Sequence, residues 1–108
     1  MEKRNLKISE QTCSLKEVLE IIGGKWAMPI IYILSKGKLR FKEIEKSIEG
    51  INTRMLVKEL KNMEANGIVS REVFATVPPT VEYTLTIKGH KLIPSITALH
   101  KWGLEYAL

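Results

Sequence analysis

The sequence predicts a single α+β domain, mainly helical, in which a helix-turn-helix is followed by a β-hairpin wing and flanked by extra N- and C-terminal helices. Three observations lead there. Apolar residues recur at helical spacing over most of the chain, and residues 69–85 switch to the β-branched and aromatic composition of two strands. Just before that switch, a short apolar helix turns tightly into a longer one with a basic outer face. The 108 residues, 44% of them apolar, are enough for one core, and no repeat or linker-like tract divides them.

Residues 1–12 read as an N-terminal arm. Ser14, Leu15, Lys16 and Glu17 then have the spacing of a capping box, and Leu15, Val18, Leu19 and Ile22 follow at i, i+3, i+4 and i+7 as one apolar stripe. Gly23 and Gly24 stop this helix. A second helix is expected from about Lys25 to Ser35, with Trp26, Ile30, Ile33 and Leu34 in the core and a break at Gly37. Unless it begins late, Pro29 removes one of its backbone bonds and bends it.

Residues 41–66 carry the helix-turn-helix pattern. Phe41, Ile44 and Ile48 stripe a helix of two turns closed by Gly50, and Asn52 is placed to cap a longer helix that Gly67 ends. Ile51 and Leu56 have the spacing of a hydrophobic staple. Leu56, Leu60 and Met63 line one side of this helix, and Arg54, Lys58 and Lys61 line nearly the opposite side. In the wing, 69–85, strands Val69 to Phe74 and Val81 to Leu85 are joined by six residues stiffened by Pro78 and Pro79. Thr86 caps a C-terminal helical region, 86–108, where Leu92, Ile96, Leu99 and Tyr106 continue one stripe with Ile93 and Trp102 beside it. Pro94 either kinks this helix or starts a new one. The apolar width exceeds what a helix on a small monomer needs, so Leu92, Ile96, Leu99, Trp102 and Tyr106 are the expected dimer contacts.

The composition excludes several functions. The longest run without a charged residue is the ten from Trp26 to Ser35, half of what a membrane span needs, and the N-terminus lacks the apolar stretch of a secretory signal. A cytoplasmic protein without membrane contact is expected. One Cys allows neither an internal disulfide nor a zinc ribbon. His90 and His100, ten residues apart, do not have the i, i+4 spacing of helical metal ligands. No nucleophile elbow, phosphate-cradling glycine loop or zinc-protease motif is present, so neither an enzyme nor a cofactor is expected.

The formal charge is +5, and residues 36–72 hold +3 of it. Such an excess suits a polyanion. Arg54, Lys58 and Lys61, with Val57 among them, form the face that would meet a major groove, since long cationic donors reach guanine O6 and N7. Asn52 and Thr53 at the start of that helix would meet a phosphate or base edge, though Asn52 is equally well explained as the cap alone. Arg40 and Lys42 on the preceding helix, with Lys46 and the loop residues Lys36 and Lys38, would touch the backbone. Arg71, at the base of the wing, is the cation nearest its uncharged tip. The competing reading of the basic stripe is a solvated helix face.

Cys13, Gly23-Gly24-Lys25-Trp26, Arg40-Phe41, Arg54-Met55-Leu56, Leu60, Glu64, Gly67, Val77-Pro78-Pro79-Thr80-Val81-Glu82-Tyr83, Leu85-Thr86, Lys88-Gly89 and Trp102-Gly103 together resemble the HxlR-type transcriptional regulators. The resemblance spans residues 13–103, and its Gly-Gly-Lys-Trp and Val-Pro-Pro-x-Val-Glu-Tyr signatures are not required by generic helices or strands. It implies a bacterial or archaeal dimeric winged-helix protein, related to MarR-type regulators, that binds double-stranded operator DNA. It also implies a dimer built from the terminal helices and, in several members, sensing of quinones, aldehydes or oxidants through a cysteine matching Cys13. Thr80 departs from the pattern, because relatives often carry Arg or Lys there, so insertion of a basic wing residue into the minor groove is not expected. From the residues themselves, a Cys13 just before a capping Ser14 would sit where helix amides favour a thiolate, with Lys16 a turn away; the alternative is a packed, inert thiol. Two further readings stay open. One is a winged-helix module that binds protein. The other is a regulator holding a small apolar effector between Trp26, Tyr32, Trp102 and Tyr106.

Overall fold

The computed structural model describes residues 8–107, with side chains from residue 14 onward. The order is α1 (Ile8–Ile22), α2 (Ala27–Leu34), β1 (Leu39–Arg40), α3 (Phe41–Ser47), α4 (Thr53–Ala65), β2 (Val69–Phe74), β3 (Thr80–Leu85), α5 (Ile87–His90) and α6 (Ile93–Trp102), which continues into a π-helical turn over Gly103–Ala107. The strands form one antiparallel sheet in the order β1-β3-β2. Together, α2, α3, α4 and this sheet make a winged helix-turn-helix.

The core is built on α2. Its mostly apolar sequence buries Ala27, Ile30, Ile31 and Leu34, and α1, α3, α6 and β3 all pack against it. The helix does begin late. Its first internal bond runs from the Ile30 amide to the Trp26 carbonyl at 3.1 Å, so Pro29 lies in the first turn, where an amide hydrogen has no helical acceptor to lose. Ile44 of α3, Leu56, Leu60 and Met63 of α4, and Ile68 and Val69 at the start of the wing complete this core.

Both ends of α4 are pinned by its own sequence. The Asn52 side chain accepts from the Met55 amide at 2.8 Å, as the cap expectation required. At the far end Gly67 adopts φ +74°, a conformation that lets the chain leave the helix and that a side chain resists. Lys88 Nζ donates to the Asn66 carbonyl at 2.8 Å and satisfies a backbone acceptor there. Thr86 caps α5 by accepting from the Gly89 amide at 3.0 Å, and its own amide donates to the Ile68 carbonyl at 3.0 Å. A Cβ on Gly89 would stand 2.3 Å from the Ile68 carbonyl oxygen, so only glycine lets α5 approach the wing this closely.

Several expectations are corrected. Ser14 caps nothing: α1 starts at Ile8, so Ser14 is inside the helix and residues 8–12, assigned to an arm, are helical. The second helix starts at Ala27 instead of Lys25. Strand β1 has no counterpart in the sequence expectations, and Arg40 belongs to it instead of to the following helix. Two residues are too few for alternation to register, and β1 exists because β3 offers it an edge. β3 begins at Thr80, one residue early, so five residues rather than six form the tip. The C-terminal region is two helices, with Pro94 near the start of α6 where proline costs little.

Replacing the capping side chain, Asn52→Ala, is expected to cost about 1 kcal/mol. The loss is read as a lowered urea midpoint with an unchanged denaturant slope.

Candidate nucleic-acid interface

The turn between α3 and α4 presents the longer helix outward. Thr53 Oγ1 donates to Glu45 Oε2 at 2.6 Å, tying the first residue of α4 to the middle of α3. The Glu43 carboxylate accepts from the Arg40 amide at 2.8 Å and closes the start of α3. With Asn52 capping, these bonds set the angle between the two helices. Asn52 and Thr53 are both exposed, but their side-chain oxygens serve the fold first.

At about 100° per residue, Arg54, Val57, Lys58 and Lys61 fall within one sector of α4, and Leu56, Leu60 and Met63 fall on the opposite sector. Burial follows that division. The three apolar residues are 0–2% exposed, whereas the three cations are exposed and Val57 is 37% exposed. Among the described residues, no ion pair engages Arg54, Lys58 or Lys61. This leaves a ridge of long donors with one branched apolar residue among them, which is the chemistry needed to meet base edges and a thymine methyl in a groove.

Around the ridge the placements vary. Lys42 and Lys46 lie exposed on α3. Arg71 is near the middle of β2, opposite Tyr83, and lines a cleft with Lys61, Val57 and Phe41; it therefore flanks the basic ridge without reaching the wing tip. Thr80 is half-buried and paired with Phe74 inside the hairpin. Arg40 faces Glu82 across the β1–β3 pair, its Nε 3.9 Å from Glu82 Oε2. Sequence reasoning missed Glu82, because the β1 strand that brings cations to it was itself not legible.

Exposed apolar residues lie on α1 and at the C-terminal end. Leu15, Val18 and Leu19 of α1 are 65%, 43% and 60% exposed, and Leu99, Trp102, Leu104 and Tyr106 are all more than half exposed at the C-terminal end. Trp102 and Tyr106 lie ring to ring, their centroids 5.6 Å apart. Of the expected dimer contacts, Leu92 is half-buried and Ile96 is only 5% exposed, because both already pack within the protomer's core. Leu104 was not anticipated. Trp26 is corrected as an effector-wall residue, since it is 8% exposed and belongs to the core. Tyr32 does line a cleft, with Met28, Pro29, Ile96, Leu99 and His100, and its ring lies 5.8 Å from that of His100. Trp102 and Tyr106 stand outside it.

Cys13 lies within α1, five residues beyond its first residue, and not at a helix N-terminus. The amide-dipole argument for a reactive thiolate therefore lapses. The Cys13 side chain is outside the described residues. Among the described residues no group of three or more His, Cys, Asp or Glu could hold a metal ion, and no helix is long and apolar enough to cross a membrane.

An outward basic helix, a preceding short helix and an adjoining hairpin define a winged helix-turn-helix DNA-binding protein. Residues 21–108 match the model of the HxlR-like helix-turn-helix family, and the chain belongs to that family, one of transcriptional regulators. It is 45% identical over 97 residues to an uncharacterised HTH-type transcriptional regulator of Methanothermobacter thermautotrophicus, covering 90% of this chain and 74% of that protein. The structure of the redox regulator HypR in its oxidised form superposes with a TM-score of 0.82 at 42% identity, covering 86% of this chain and 96% of that one. A MarR-family regulator from Porphyromonas gingivalis W83 superposes with a TM-score of 0.86 at 36% identity, covering 94% and 99%.

Reversing the charge of the ridge, with Arg54, Lys58 and Lys61 all changed to Glu, is expected to abolish duplex binding in a gel-shift titration. The thermal midpoint should stay within a few degrees, because all three side chains are exposed.

Proposed function

We propose that this regulator binds an inverted-repeat operator as a homodimer in the cytoplasm, with α4 of each protomer in the major groove. The observation that carries the reading is the ridge of Arg54, Val57, Lys58 and Lys61, solvent-facing, without ion-pair partners among the described residues, and opposite the buried side of the same helix. Lys42 and Arg71 flank it as backbone contacts, and Asn52 and Thr53 hold its leading end. The uncharged tip, residues 75–79, contributes shape more than charge. Two such helices about 34 Å apart would meet successive major grooves on one side of the duplex.

The exposed apolar residues of α1 and the C-terminal turn support the dimer. Leu15 and Leu19 on α1, and Leu99, Trp102, Leu104 and Tyr106 at the C-terminal end, each stand more than half exposed. A second copy would cover them by a symmetric, self-complementary contact.

Control through Cys13 is the regulatory part of the reading. The likeness to HypR, a redox regulator, supports it, and so does the place of Cys13 on α1, the helix whose apolar stripe stands exposed. Oxidation or alkylation of a thiol there would alter how two α1 helices meet and so the spacing of the recognition helices. A small apolar effector is the second reading, favoured by the cleft between α2 and α6 beneath Tyr32 and His100.

Selection of bound duplexes from a randomised library at about 150 mM salt, where non-specific phosphate attraction is weakened, is expected to enrich an inverted repeat. No enrichment, together with no loss of binding to a protein partner on charge reversal of the ridge, would establish a protein-interaction module instead. Sedimentation is expected to show a dimer at micromolar concentration, and a monomer would overturn the two-helix arrangement. On the enriched duplex, diamide or a quinone is expected to release the parent protein and not the Cys13→Ser variant. Release of both would eliminate cysteine sensing.

A further inference from the structure

One carboxylate in the wing sits among groups that the DNA-binding reading would otherwise count as free cations. Glu82 lies in the central strand β3, paired across to Arg40 of β1 on one side and Glu72 of β2 on the other. Directly paired residues share a face of a sheet, so Arg40, Glu82 and Glu72 lie on one face, and Leu39, Tyr83 and Arg71 lie on the other. Tyr83 is buried, which makes its face the inner one and places the Glu82 group on the outer face. There Lys38 Nζ stands 3.5 Å from Glu82 Oε1, and Arg40 Nε stands 3.9 Å from Oε2. Lys38 Nζ also lies 6.0 Å from the ring centroid of Phe74, which shares this outer face.

The burial of the three partners is unequal. The Lys38 and Arg40 side chains are 61% and 58% exposed, whereas that of Glu82 is only 21% exposed. Its Oε1 is shut off from solvent and accepts no hydrogen bond, so water does not satisfy it. A half-buried carboxylate in that state attracts the nearest cations more strongly than a surface carboxylate does. Two cations and two carboxylates thus leave the outer face of the wing without net charge, and residues 75–79 at the tip carry no charge either.

We propose that Glu82 is a positioning residue that withholds Lys38 and Arg40 from DNA phosphates, keeping the wing electrically neutral and leaving sequence discrimination to α4. The proposal rests on the DNA-binding reading and deepens it. Each additional phosphate contact raises affinity for any sequence alike, so a carboxylate that silences two cations lowers non-specific binding without touching base recognition. Glu82 then contributes to specificity by subtraction.

The experiment is a salt titration of the full-length protein on a short duplex of random sequence, with log affinity read against log salt concentration. Glu82→Gln keeps the shape and removes the charge. It is expected to steepen the slope by about 1 to 2, as one or two cations become available at about 0.9 each, and to raise affinity several-fold at about 50 mM salt. Glu72→Gln makes the same change in net charge on the neighbouring strand without releasing either cation, and is expected to shift the slope by less than about 0.5. A purely structural role predicts weaker binding and a shallower slope for Glu82→Gln. An unchanged or shallower slope, or an equal effect of Glu72→Gln, overturns the proposal. If Glu82→Gln does not fold, variants that keep Glu82 still decide it. Lys38→Gln and Arg40→Gln together should flatten the slope by less than Arg54→Gln alone, and a larger flattening overturns the proposal. Failure of the parent protein to bind any duplex overturns the DNA-binding reading as well, whereas normal parent binding with an unaffected Glu82→Gln removes this inference alone.

Discussion

The burial of α2 is the constraint from which the rest of the structure follows. Eight residues, none charged, form a helix that no face of a soluble domain could carry exposed, so the chain must wrap it. α1, α3, α6 and the middle strand of the wing all pack on it. Ile30, Ile31 and Leu34, each buried at about 1.5–3 kcal/mol, stabilise those contacts far more than any single hydrogen bond on the periphery does. Because α3 and the wing share this one support, the angle between α3 and the hairpin is a property of the core, and the bonds of the α3–α4 turn then orient α4 relative to α3.

On that support, polar groups do the fine placement. Asn52, the Thr53–Glu45 bond, Lys88 on the Asn66 carbonyl and Thr86 between Ile68 and Gly89 each satisfy a backbone or side-chain group at an end of α4 or at the base of the wing. The same economy explains why two candidate DNA contacts are structural residues first. A side chain that caps a helix can still face a phosphate with its remaining hydrogens or lone pairs, but its position is fixed by the helix. The cations on the outer side of α4 carry no such duty among the described residues, and that freedom leaves them available to a partner.

The molecule has two unlike exposed surfaces. One is basic, lies on α4 and is hydrated at little cost. The other is apolar, lies on α1 and beyond α6, and carries a standing hydrophobic cost in an isolated chain. α1 and α6 both touch α2, and Asn62 of α4 reaches the Ile21 carbonyl of α1 at 3.4 Å. The helix that carries part of the apolar surface therefore touches both the core helix and the helix that carries the basic ridge.

The sequence by itself determined the elements whose signals are local. The Asn52 cap, the Gly67 stop, the two sides of α4, the bounds of β2 and the Thr86 cap were all legible, because each depends on residues within a turn or two or on one periodic face. It also carried the family, through glycine and proline signatures whose necessity the structure explains at Gly67 and Gly89. What only the tertiary structure decided is what depends on a distant partner. β1 exists because β3 presents an edge, Arg40 meets Glu82 across that pairing, and α1 runs through Ser14 instead of starting at it. The apolar stripes of α1 and the C-terminal region read alike in sequence, as candidates for burial. Only packing showed that Ile22 and Ile96 are spent inside the protomer while Leu15, Leu19, Leu99 and Trp102 remain outside, since periodicity states that a face is apolar and not what covers it.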